Sequence, residues 1–154
     1  MLIISCFSPG ELEENEPEAR EVPVDFSFEH ATWIAGVNPR QERFIKVFPT
    51  TTEEGSVHTL TAGTVTKHGR KSTEIEVTLE RSLTAEECLG IYNEALRLGF
   101  FKLKEKYSEG YQREGGRGST TTITANAATK KVIVYARRVP EIDQLIGEVQ
   151  TLMR

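Results

Sequence analysis

The hydrophobic period of this chain changes at Leu83, from two to 3.6, and that change restricts the folds open to it. Upstream, apolar and polar residues alternate in four runs. Val24, Phe26 and Phe28 alternate with Asp25, Ser27 and Glu29, which places the start of the folded body near Val22. The turn Gly36-Val37-Asn38-Pro39 leads to a second run, Arg43 to Phe48, ended by Pro49 and the Thr50 to Gly55 loop. A third spans Val57 to Thr66, and His68-Gly69-Arg70-Lys71 turns the chain into a fourth, where Ile75, Val77 and Leu79 alternate. Four strands joined in series by such turns predict an antiparallel meander.

Downstream of Leu83 the pattern is helical. Thr84 stands as N-cap with Glu87 three residues on, a capping box, and Leu83 and Cys88 take the two staple positions that flank it. Cys88, Ile91, Tyr92, Ala95, Leu96 and Leu98 make one apolar stripe, and Gly99 supplies a left-handed stop. A Gly-rich polar loop from Tyr107 to Gly118 precedes two strands, roughly Ser119 to Ala125 and Lys131 to Arg137. Pro140 then opens a final helix at its first position, with Ile142, Leu145, Ile146, Val149 and Leu152 on one side. The expected fold class is α+β: an antiparallel sheet of about six strands with two helices packed on one face, in the order ββββαββα.

The length of 154 residues suits one domain. Residues 1–21 form an apolar start followed by an acidic stretch with little to bury, a composition that predicts a flexible tether, and residues 22–154 form the single domain. The net charge of −4 averages two unlike pieces, since residues 1–29 hold eight acidic residues against Arg20 alone, whereas the remainder carries 15 acidic and 18 basic residues. Ile3-Ile4-Ser5-Cys6 is similar to the end of a bacterial lipoprotein signal, which makes Cys6 a lipidation site if translation starts upstream of Met1. On that condition the cell envelope is the expected location, and the membrane is reached only through the anchor. If Met1 is the true start, the cytoplasm is expected instead.

At Leu83-Thr84-x-Glu86-Glu87, Leu98-Gly99-Phe100-Phe101-x-Leu103 and Tyr107, then Thr120 to Thr124, Val132-Ile133-Val134-Tyr135 and Pro140, the second half resembles a group of small bacterial lipoprotein-like or secreted domains of unknown function. The resemblance implies an α+β fold and an envelope location. It carries over no catalytic residue. In that group the strands before the helix often bear a Cys and a Gly-Thr segment; here Ala62-Gly63-Thr64 corresponds to the segment and those strands hold no Cys.

The residues offer little for catalysis. The staple position of Cys88 turns its thiol into the core, away from nucleophilic work. His30, His58 and His68 lack metal-ligand spacing and are expected to face solvent from strands or turns, so neither a metal nor a cofactor is expected. Gly115-Gly116-Arg117-Gly118-Ser119-Thr120 lacks the Lys of a phosphate loop and leads into a strand, where a phosphate loop opens a helix. The carboxylates Glu86, Glu87 and Glu94, and Glu74, Glu76 and Glu80, fall on solvated faces. What remains are residue types common at interfaces: Trp33, Tyr111, Arg113 and Arg117.

These features favour a non-enzymatic protein-interaction or accessory module with a protein partner, either anchored at the envelope or part of a larger assembly. The alternative is a small-ligand-binding or hydrolytic domain with a pocket between helix and sheet near Tyr92, Tyr107 and Tyr135. Nucleic-acid binding through Arg113, Arg117, Arg137 and Arg138 is not expected, because Glu109 and Glu114 dilute the local charge.

Overall fold

The computed structural model describes residues 18–108 and 115–154. Four strands come first: β1 (Ser27–Ile34), β2 (Arg40–Thr52), β3 (Gly55–His68) and β4 (Ser72–Leu83). Helix α1 (Ala85–Arg97) follows, then a single 3-10 turn at Phe100–Lys102 and three further strands, β5 (Lys106–Ser108), β6 (Arg117–Ala125) and β7 (Ala128–Tyr135). Helix α2 (Pro140–Thr151) ends the fold. The strands form one sheet in the order β4-β3-β2-β1-β6-β7-β5. All pairs are antiparallel except β5 with β7, which run parallel.

The α+β class and the meander of the first four strands agree with the sequence pattern, but the sheet has seven strands and is mixed. The extra strand, β5, lies where the pattern predicts the start of a polar loop, and three residues with one aromatic among them are too few to show a period of two. The first strand is also displaced. Val24 is 90% exposed, and Phe26, though fully buried, sits in a turn closed by its own N–H donating to the Pro23 carbonyl at 3.0 Å. The chain is already fastened upstream of this turn, because Ala19 exchanges two backbone hydrogen bonds with the Asn93 side-chain amide on α1, at 2.8 and 3.0 Å.

One core forms between the sheet and the helices. In register across the sheet, Leu60, Val47, Phe28 and Ile123 share a face, and with Val132 they are buried in one cluster with Cys88, Ile91 and Ala95 of α1 and Leu145 and Val149 of α2. Burial of each such side chain contributes about 1.5 to 3 kcal/mol, which makes this face the main source of stability. The α1 cap is formed as the sequence predicts: Glu87 N–H donates to Thr84 Oγ1 and Thr84 N–H donates to Glu87 Oε2. Gly99, at φ 67°, ends the helix in the left-handed region.

The fourth strand departs from simple alternation. A bulge opposite Ala62 and Gly63 takes up Thr78 as an extra residue, so Leu79 turns toward the helices while Ile75 and Val77 turn to the reverse face. Ile75 and Val77 are 67% and 51% exposed in consequence.

Candidate functional site

Each central strand changes character at the same row of the sheet. Following the helix-side face outward from the core, β1 reads Phe28, His30, Thr32, Ile34 and β2 reads Val47, Ile45, Arg43, Gln41. Over the same rows β3 reads Leu60, Ala62, Thr64, Thr66 and β6 reads Ile123, Thr121, Ser119, Arg117. The inner rows lie in the helix-covered core; the outer rows form the floor of an open trough of about 620 Å³. Side chains of Thr32, Arg43, Thr64, Arg117, Ser119 and Arg137 line it, with Ile34 and Glu76 also at its wall.

Three arginines from three parts of the chain therefore line one cavity. Arg43 projects from β2 and Arg117 from the first residue of β6. Arg137 is aimed by Ala136, whose left-handed backbone at φ 52° breaks the line of β7 and whose N–H donates to the Arg117 carbonyl at 2.9 Å. Its guanidinium lies 5.8 Å from the centre of the Tyr107 ring. Among the described residues none of the three arginines has a carboxylate within ion-pair distance. Threonine and serine hydroxyls around them can donate or accept, so the trough suits a ligand carrying several anionic oxygens.

His30 and Thr121 mark the boundary between core and trough. The His30 Nδ1 and Thr121 Oγ1 atoms are hydrogen-bonded at 2.9 Å, and both residues are buried. Burial pushes the His30 imidazole down to about 4 against a weaker opposing pull from Asp143, so it is neutral near pH 7. A hydroxyl bonded to an imidazole has the composition of a nucleophile and its base. Thr121 has no exposed surface, however, and a substrate atom has no line of approach to its oxygen, which makes the pair a structural device for crossing from an apolar to a polar environment.

Two of the three histidines thus depart from the solvent-facing expectation. His58 is half-buried, with Nε2 3.1 Å from the Phe26 carbonyl oxygen and its pKa lowered by burial; His68 is exposed in its turn. Cys88 is fully buried, and burial pushes its thiol up to about 12. Among the described residues no three His, Cys, Asp or Glu side chains gather as a metal site.

Of the four interface residues named from the sequence, Arg117 lies in the trough, whereas Trp33 borders it with its side chain on the reverse face of the sheet. There its ring occupies the space above Gly118, where a Cβ would come within 2.5 Å of it, and the Arg40 guanidinium covers it at 5.2 Å. Tyr111 and Arg113, like Cys6, lie outside the described residues. The three tyrosines of the alternative pocket are separated: Tyr92 packs on Phe26 with ring centres 5.5 Å apart, while Tyr107 and Tyr135 fall on opposite faces of the sheet. Arg43 and Thr32 carried no signal in the sequence, and Thr64 and Ser119 showed there only as polar residues of Thr-rich strands that an uncovered sheet face would present. Each sits at an alternate position of its strand, and only the cross-strand register shows that the four share one surface.

A second cavity, about 630 Å³, lies on the outer side of α1 between Glu18, Leu89, Asn93 and Arg97. No protein-family model and no curated protein sequence matches this chain. No described helix is long and apolar enough to cross a membrane.

Proposed function

We propose that the domain is a non-enzymatic binding module that holds an acidic segment of a partner protein in the arginine-lined trough. The observation that carries this reading is the convergence of Arg43, Arg117 and Arg137 on one cavity with no carboxylate paired to them among the described residues. Guanidinium groups recognise carboxylates through paired parallel hydrogen bonds, and the exposed side chain of Ile34 gives an apolar residue of the same segment a place to rest. In the same proposal, if translation starts upstream of Met1, lipidation of Cys6 would hold the module at the envelope, with the acidic stretch that follows it as the tether.

A fluorescein-labelled peptide of alternating Glu and Leu tests the reading by anisotropy. Binding is expected to weaken steeply as salt rises, and each of Arg43→Gln, Arg117→Gln and Arg137→Gln is expected to cost about 1 kcal/mol, roughly a fivefold loss of affinity. Affinity that ignores both salt and the three substitutions would overturn it. The volume of the trough falls within the range of small-molecule sites, which favours a small polyanion as the second reading. Citrate and inorganic phosphate added in a thermal-unfolding series separate the two, because a specific small ligand raises the midpoint with its own concentration.

A further inference from the structure

The sheet has two edges of very different kind. At one end β5 offers three residues, while at the other β4 offers twelve. Along the first half of β4, residues Ser72 to Thr78 are all exposed, so the helical layer does not reach this part of the sheet. The strand bonds to β3 on one side only, which leaves a row of backbone N–H and C=O groups facing outward on the other. Beside that row, Ile75 and Val77 stand on one face, 67% and 51% exposed, and Glu74 and Glu76 on the opposite one.

We propose that the free edge of β4 receives an extended segment of a partner protein in which basic and apolar residues alternate. An added strand completes the outward hydrogen bonds, places apolar side chains against Ile75 and Val77, and puts Lys or Arg beside Glu74 and Glu76 on the other face. Among the described residues neither glutamate pairs with a Lys or Arg; Glu74 has only His68 Nε2 at 3.5 Å. The same charges weigh against the simplest competitor, a second copy of the chain paired through the middle of this edge. In an antiparallel β4 to β4 pairing that keeps each face continuous, centring the twofold on Glu76 sets it against itself, and centring it on Ile75 sets Glu74 against Glu76. The edge thus disfavours its own central pairings and suits a strand of opposite charge. This surface is distinct from the arginine-lined trough in its partner chemistry, although Glu76 borders both.

The test uses the full chain with two acetylated nine-residue peptides, one alternating Lys and Val and the other Glu and Val, followed by anisotropy and by amide hydrogen exchange. The Lys-Val peptide is expected to bind, to slow exchange at outward-facing amides within residues 73–77 at least tenfold, and to be preferred over the Glu-Val peptide by at least tenfold. The double variant Glu74→Lys, Glu76→Lys is expected to reverse that preference, and a circular dichroism spectrum matching the parent shows that it is folded. Failure of the Lys-Val peptide to bind, binding without protection at residues 73–77, a preference unmoved by the charge reversal, or self-association of the unmodified chain through these amides would each overturn the proposal. Loss of acidic-peptide binding on substituting Arg43, with this edge behaviour intact, separates the two surfaces.

Discussion

His30 shows how one side chain can tie stability to acidity. It is 8% exposed, hydrogen-bonded to Thr121 and held neutral by burial, with its pKa lowered from 6.5 to about 4. In the unfolded chain the imidazole takes up a proton as pH falls through 6.5, whereas the folded chain resists until about 4. The unfolded state therefore binds more protons throughout that window, and stability falls as pH is lowered across it. The contribution is complete above pH 6.5 and is on the order of 3 kcal/mol, because each tenfold change in proton affinity between the two states is worth about 1.4 kcal/mol. Urea unfolding at pH 7.0 and 4.5 checks this. His30→Gln keeps a hydrogen-bonding group for Thr121 and removes the titration, so its midpoint is expected to change less between the two pH values than that of the parent.

At the scale of single elements, the turn into α1 is the most completely specified feature of the chain. Thr84 and Glu87 satisfy each other's backbone N–H groups, and Arg81 at the end of β4 reaches over to pair with the Glu87 carboxylate. Hydrogen bonds from Arg81 and then from the Thr84 backbone hold that carboxyl below its usual range. Thr84→Ala is expected to destabilise the domain by about 1 kcal/mol, read as a fall of about 3 °C in the midpoint of a thermal scan. This element was legible because its signals are local: cap, stripe and glycine stop all lie within sixteen consecutive residues, Thr84 to Gly99. β4 was only half legible. Its alternation was visible, but a period of two puts Ile75, Val77 and Leu79 on one face, and a bulge that depends on the partner strand separates them. β5 lacked a pattern of any length, and the trough could not be read at all from one strand at a time. Arg43 becomes a site residue only when Thr32 and Thr64 are known to flank it and Ser119 to follow beyond Thr32.

For the molecule as a whole, β1 is the seam. It joins the β2 to β4 meander on one side to the β6 and β7 hairpin on the other, and Phe28 lies between Val47 and Ile123 at the centre of the core. Phe28→Ala is expected to cost about 3 to 5 kcal/mol. Because both halves of the sheet rest on this residue, the loss should appear in one cooperative transition. The fluorescence of Trp33, the single tryptophan, and the far-ultraviolet circular dichroism are expected to shift to the same lower denaturant midpoint. Separate midpoints would show that the two halves unfold independently.

The position of β1 also sets a timetable for synthesis. His30 and Thr121, which meet across the β1 and β6 pair, are 91 positions apart in the chain. At roughly 5 to 20 residues per second, a ribosome needs about 5 to 18 s to go from one to the other. Until β6 is made, Phe28 lacks its neighbour Ile123, and the core face of β1 to β4 is without the β6 and β7 strands that complete it. The glutamates along β4 would then serve the growing chain as well as the finished one, since neighbouring nascent copies on one message meet edges of like charge, which opposes their pairing.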